Sequence, residues 1–205
     1  MTVQGYFVTG TDTEVGKTVA SAWMMLHLNG CYWKPLQTGS SIDSDTKTVQ
    51  ILTQFPEERF FPPTHELKEP LSPHEAARRE AVRIDLDQIH LPQSEHTLIV
   101  EGAGGVMVPL NENTLIIDLI KKLQLPVVLV CRSQLGTINH TLLSLEAMKS
   151  REIPVNGIII NGSKSPHNRQ ALEEFGRVPV IAEIEDMENL TRESLLSIQP
   201  EAVIK

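Results

Sequence analysis

Gly10-Thr11-Asp12-Thr13-Glu14-Val15-Gly16-Lys17-Thr18 brings together the residue types that hold a chain of phosphates. The run follows the apolar Tyr6-Phe7-Val8 and opens a helical pattern over residues 17–28, so the order reads strand, glycine-bounded loop, helix. Backbone N–H groups in such a loop, with the free N–H groups of the first helical turn, converge on an anionic oxygen cluster. Thr13, Glu14, Val15 and Gly16 supply that backbone. Lys17 adds a compact positive charge at the β- and γ-phosphates, and the next hydroxyl, on Thr18, is spaced to hold Mg²⁺. The pattern departs from G-x-x-x-x-G-K-[ST] at one slot: Thr11 stands where the first glycine belongs, and Gly10 lies one residue early. The competing reading is a left-handed turn with a surface lysine. Strand, loop and helix falling where a phosphate site needs them argue against it.

Further groups follow other strand-like runs. Lys34-Pro35-Leu36-Gln37-Thr38-Gly39-Ser40 leaves the second one, and a lysine there can stabilise charge on a transferring phosphoryl group, or simply extend its ammonium past an apolar edge into water. Glu101 ends the third run. Phosphate-bound Mg²⁺ takes one or two carboxylates, a hydroxyl and water, which suits Glu101, Asp45 and Thr18. Asp45, like Asp43, is equally readable as a carboxylate favoured at a helix N-terminus. Gly102-Ala103-Gly104-Gly105 lets backbone approach a ligand, or makes a tight turn. Asn139 and His140 fall in the first turn of a helix, where His140 reads as a helix-start or packing residue before a catalytic one. Asn161 ends a later strand; its amide matches an adenine edge and is also an ordinary turn residue.

These groups need a scaffold. Short apolar runs, Tyr6-Phe7-Val8, Cys31-Tyr32-Trp33, Thr97-Leu98-Ile99-Val100, Val127-Val128-Leu129-Val130-Cys131, Ile158-Ile159-Ile160 and Val178-Pro179-Val180-Ile181, alternate with helical patterns over 17–28, 45–53, 116–123, 138–149, 167–175 and 189–198. The pattern predicts an α/β fold, a mostly parallel sheet with helices on both faces. Ligands then bind at the edge formed by the strands' C-terminal ends. Residues 55–73, with Pro56, Pro62, Pro63, Pro70 and Pro73, read as an ordered excursion without regular structure. The stripe of Ile138, Leu142, Leu145 and Met148 reads as core or subunit interface.

The 205 residues suit one domain over 1–205. A net charge of −8 confines basic groups to a local site and argues against nucleic acid as partner. Cys31 and Cys131 lie far apart in apolar runs, so reduced, buried thiols are expected rather than a zinc site. No basic residue precedes Lys17 and no apolar run approaches membrane-spanning length, so a cytoplasmic chain off the membrane is expected.

Taken together, the Gly10–Thr18 loop, Lys34-Pro35-Leu36-Gln37-Thr38-Gly39, Ser72-Pro73-His74-Glu75-Ala76-Ala77, Val100-Glu101-Gly102-Ala103-Gly104-Gly105, Leu135-Gly136-Thr137-Ile138-Asn139-His140 and Asn161 resemble the dethiobiotin synthetases of biotin biosynthesis, from about residue 5 to 184. The resemblance implies a P-loop ligase, working as a homodimer, that uses ATP as co-substrate and Mg²⁺ as cofactor to close a ureido ring on 7,8-diaminononanoate and CO₂. It implies that Thr13, Glu14, Val15, Gly16, Lys17 and Thr18 hold ATP and metal, that Thr18, Asp45 and Glu101 hold Mg²⁺, and that Asn161 reads adenine. It further implies that Thr11, Lys34 and Thr38 surround the diamine and its carbamate, with Lys17 and Lys34 flanking the reacting group. Gly104 is implied as a backbone contact to substrate, and Asn139 as the group that crosses the dimer to its carboxylate tail. The chain departs from the family at Thr38, often serine, and at Glu185, often proline. Partitioning ATPases have related loops with an extra early lysine where this chain has Asp12, and cobyrinate-type amide ligases carry a second domain for which 205 residues leave no room.

Overall fold

The computed structural model describes residues 4–41 and 44–202; Asp43 lies outside them. Among the described residues the chain runs β1 (Gly5–Gly10), α1 (Lys17–His27), β2 (Cys31–Trp33), β3 (Leu36–Gln37), α2 (Asp45–Thr53), β4 (Phe60–Phe61), β5 (His65–Glu66), α3 (Pro73–Arg79), β6 (Leu98–Gly105), α4 (Ile116–Leu123), β7 (Val127–Arg132), α5 (Thr137–Lys149), β8 (Val155–Asn161), α6 (Pro166–Gly176), β9 (Val180–Ile184) and α7 (Arg192–Ser197). The main sheet has the order β4-β2-β6-β1-β7-β8-β9, with β3 and β5 as a separate pair. Every pairing between these strands is parallel, as the alternation of patterns predicts.

Successive strand residues point to opposite faces, and the core divides accordingly. Phe7, Cys31, Trp33, Val100, Leu129 and Ile160 pack with α3, α4, α5 and α6 on one face. Tyr6, Val8, Tyr32, Ile99, Val130 and Ile159 pack with α1, α2 and α7 on the other. Helices on both faces explain why the strands read as continuous apolar runs. Both cysteines are free and buried, and burial pushes each thiol above its ordinary value. Leu145 and Met148 are buried, with Ile138 and Leu142 packed against them, which assigns the α5 stripe to the core. No helix among the described residues is long and apolar enough to cross a membrane.

Two expectations fail. The proline-rich stretch contributes regular structure: Phe60 and Phe61 pair with Tyr32 and Trp33 as the edge strand β4, and His65–Glu66 pairs with β3. Pro56, Pro62 and Pro63 flank those residues instead of occupying them, and an edge strand needs donors on one side only. Helix α3 begins at Pro73, where the missing N–H would have had no helical partner. Glu101 also does not end its strand. β6 continues through Gly105 because Gly10 and Gly105 pair beyond a register shift.

Candidate active site

The register of three strands assembles the centre. Tyr32 pairs with Ile99 and Trp33 with Val100, so one further step brings Lys34 beside Glu101. Val8 flanks Glu101 on the other side, and the chain leaves β1 into the phosphate loop. Gly16 takes φ +92 at the start of α1, and a Cβ there would lie 2.3 Å from Asn161 Nδ2. Only glycine fits both the left-handed backbone and the amide packed on it.

Lys34, Asp45, Glu101 and Thr18 form a closed group. Lys34 Nζ lies 2.7 Å from Asp45 Oδ2 and 2.9 Å from Glu101 Oε1. The single Thr18 hydroxyl proton faces two acceptors, Asp45 Oδ1 at 2.7 Å and Glu101 Oε1 at 3.1 Å. Glu101 is fully buried, and the buried Tyr32 hydroxyl donates to its Oε2 at 3.0 Å. Burial works against the Lys34 ammonium, but Glu101 and Asp45 outweigh it and hold the lysine above its usual value. For Asp45, burial would raise the carboxyl, and Lys34, Thr18 and Gln37 reverse this to leave it low. Tyr32 is held well above the phenol range by burial and by the nearby carboxylates, so it remains a donor.

Lys17 Nζ donates to the Asp12 carbonyl at 2.9 Å, drawing the loop over its own lysine. Burial lowers Lys17 to about 8; Lys34 adds to this, while Glu101, Asp45 and Asp12 oppose it. Both lysines therefore bear on one locus. Arg132, at the end of β7, donates to the Thr13 carbonyl at 2.6 Å and fastens the loop from the other side.

Three clefts surround this centre. One, of about 540 Å³, is lined by Thr13, Glu14, Thr38, Asp45, Leu71 and Gly104. Gly104 has φ +66, and a Cβ there would meet Val108 Cγ2 at 2.9 Å. A second cleft, about 390 Å³, holds Thr11, Asp12, Gly105, Met107, His140 and Leu143. The third, about 440 Å³, runs between Glu14, Arg132, Ser133, Asn161, Lys164 and Asp186. Glu185, at the position where proline was expected, pairs with Lys164 at 2.9 Å on the rim of this cleft.

Thus Lys17, Thr18, Lys34, Asp45 and Glu101 converge, Thr38 and Gly104 share a wall with Thr13, and Asn161 covers Gly16. Asp45 answers to both sequence readings, being in the first turn of α2 and turned to Lys34. Asn139 does not join them: it is exposed on the first turn of α5 and lines none of the three clefts. Sequence reasoning gave no site role to Tyr32 or Arg132, nor to Pro70, Leu71, Ser72 and Pro73, which line the first cleft. Tyr32 was findable, since it lies two residues before Lys34 on a strand and so shares its face.

Asp45 and Glu101 each lie within hydrogen-bond range of the Thr18 hydroxyl, and the three together are oxygen ligands of the kind a hard cation takes. Among the described residues no group of three or more His, Cys, Asp or Glu forms a metal cage.

The AAA domain family model matches residues 4–194. The ATP-dependent dethiobiotin synthetase BioD of Paramagnetospirillum magneticum is 51% identical, over 97% of this chain and 96% of its own length. The enzyme of that name from Lawsonia intracellularis is 42% identical, over 94% and 93%. The biotin biosynthesis bifunctional protein BioCD of Bordetella avium is 52% identical over 90% of this chain and 40% of its own length. Among solved structures, a ParA family ATPase from Chlorobium tepidum aligns with a TM-score of 0.57 at 14% identity, covering 96% of this chain and 91% of that one. The MinC:MinD cell division complex of Aquifex aeolicus gives 0.53 at 10%, covering 97% and 87%. At such identities the structural likeness speaks to the P-loop α/β fold alone. Identity of 42–51% along almost the whole chain speaks to more, and with it the chain belongs to the ATP-dependent dethiobiotin synthetase family.

Proposed function

We propose that this chain, as one P-loop ligase domain over residues 1–205, closes the ureido ring of dethiobiotin from 7,8-diaminononanoate and CO₂, with ATP as co-substrate and Mg²⁺ as cofactor. The observation that carries the reading is the convergence of Lys17 and Thr18 at the start of α1, Lys34 just past β2, Asp45 at the start of α2 and Glu101 within β6. One amine of the diamine takes up CO₂ and loses a proton to become a carbamate. A carbamate oxygen attacks the γ-phosphorus, the bond to the ADP oxygen breaks, and ADP leaves. The second amine then attacks the carbamoyl carbon, phosphate departs with the bridging oxygen, and the ring closes. Phosphorylation is needed because a carbamate is a poor electrophile, and holding the second amine in place removes the entropy of encounter.

Lys17, with Thr13, Glu14, Val15 and Gly16, holds the phosphates, while Asn161 faces the base. Lys34 and Lys17 stabilise the charge of the transferring group. Thr11 and Thr38 offer hydroxyls to the carbamate, and the bare backbone at Gly104 lies along the substrate. Thr18, Asp45 and Glu101 would hold Mg²⁺, which neutralises charge on the β- and γ-phosphates.

The homodimer enters through Asn139, exposed outside the single chain's clefts. Leu143 at 62% and Met107 at 49% exposure supply apolar surface beside Thr11 and His140 for a second copy, whose Asn139 would reach the substrate's carboxylate. A net charge of −8 supports small-molecule substrates without nucleic acid, and a cytoplasmic location fits ATP as co-substrate. The test is ADP release from Mg²⁺ and ATP with bicarbonate and diamine each omitted in turn. The reading requires both. ADP release that ignores the diamine and rises with DNA or lipid would favour a nucleotide-driven switch instead.

A further inference from the structure

We propose that Tyr32 is a positioning residue for the metal site: its hydroxyl anchors one oxygen of Glu101 from inside the core, so that the other oxygen faces Thr18, Lys34 and the nucleotide's cation. The inference rests only on the Mg²⁺ part of the proposed function.

The two Glu101 oxygens have separate partners. Oε2 accepts from Tyr32 at 3.0 Å, while Oε1 takes Lys34 at 2.9 Å and Thr18 at 3.1 Å. Tyr32 and Glu101 are both at 0% exposure, so no water replaces the phenol if it is lost. Strand geometry makes the contact directional. Tyr32 and Lys34 share one face of β2, Ile99 and Glu101 share the same face of β6, and Tyr32 is in register with Ile99. The tyrosine therefore reaches forward along the sheet to the carboxylate. Its ring is held by Phe60 on the edge strand, at 6.2 Å between centroids and tilted by 54°.

Without this donor the carboxylate would turn to place both oxygens on the Lys34 ammonium, its nearest remaining cation, and away from the position beside Thr18. Magnesium demands near-octahedral geometry, and partners that orient its ligands typically affect metal affinity by about 10–100-fold. Phe60, on the edge strand that sequence reasoning took for irregular chain, packs on the ring, while the phenol hydroxyl alone reaches the carboxylate.

The experiment measures Mn²⁺ binding by electron paramagnetic resonance in the presence of ADP, with the full chain and no diamine. Ring closure is not involved, so a failure of the substrate assignment leaves this readout intact. Tyr32→Phe is expected to weaken Mn²⁺ binding by about 10-fold or more. In a Glu101→Gln background the same change should have no further effect. Phe60→Leu, which loosens packing but keeps the phenol, should lower the melting temperature and leave Mn²⁺ affinity near that of the parent. p-Aminophenylalanine at position 32 keeps the ring and a donor at the same place, and should restore binding. Should Tyr32→Phe fail to fold, the amino variant compared with p-methylphenylalanine asks the same question. Parent-like Mn²⁺ affinity without a donor at position 32, or equal weakening with and without the Glu101 carboxylate, would overturn the proposal.

Discussion

Lys34 Nζ lies 2.7 Å from Asp45 Oδ2, joining the end of β2 to the first turn of α2 across the mouth of the phosphate loop. Both groups gain charge stability from the contact, since the lysine is held high and the carboxyl low. With Glu101 on its other side, the ammonium is fixed between two carboxylates while bearing on Lys17. Its removal has consequences for the fold as well as the reaction.

Lys34→Ala should lower ring closure by about 100-fold or more, as expected when a group that stabilises transition-state charge is lost. It should also destabilise the protein by roughly 3 kcal/mol, because removing one partner strands the buried Glu101 charge. Turnover and chemical denaturation measure the two effects. A surface lysine would show neither, and unchanged stability would mean that Thr18 and Tyr32 suffice for Glu101.

Gly16→Ala should weaken nucleotide binding and cost about 1–2 kcal/mol of backbone strain, before its collision with Asn161. Adding Asn161→Ala should recover part of the stability by removing the collision and recover no nucleotide affinity. Denaturation curves and ADP calorimetry on the single and double variants separate these outcomes. Full recovery of stability would assign the loss to collision alone.

Burial holds His65 below its ordinary value of 6.5, with Asp85 opposing. As pH falls through that value the unfolded chain takes up a proton before the folded one does, so stability is lost on the acid side and retained above it. Urea unfolding at pH 7.5 and 5.5 should show a smaller acid loss in His65→Gln than in the parent. An identical loss would place the acid sensitivity elsewhere.

Cys31 and Cys131 should resist iodoacetamide at pH 8 in the folded protein and react on unfolding, since burial both shields the thiols and depresses the thiolate fraction. Mass spectrometry of alkylated peptides provides the check. Rapid labelling of either cysteine in the native protein would contradict its place in the core.

Much of this molecule was legible in the sequence because its signals are local. Lys17 and Thr18 follow a glycine at a strand-to-helix junction, and helices α2 and α4 begin and end where their patterns do. What escaped depends on pairing between distant segments. Prolines around Phe60 hid an edge strand whose partner lies at Tyr32, and the glycines after Glu101 concealed four more strand residues, the last of which, Gly105, pairs with Gly10 beyond a register shift. The Tyr32 bond to Glu101 required the β2–β6 register, which no single segment encodes. Asn139 is exposed on α5, and its proposed role would require a second chain.

The most direct test of ring closure through a phosphorylated carbamate is the fate of oxygen from ¹⁸O-labelled bicarbonate in a short incubation with ATP, Mg²⁺ and the diamine. A carbamate oxygen that attacks phosphorus becomes the bridging atom and leaves with phosphate. Mass spectrometry of the products should therefore show phosphate carrying a single labelled oxygen, formed in step with the cyclic urea. Phosphate released without label, before the bicarbonate has exchanged with water, would mean that water attacks ATP at this site.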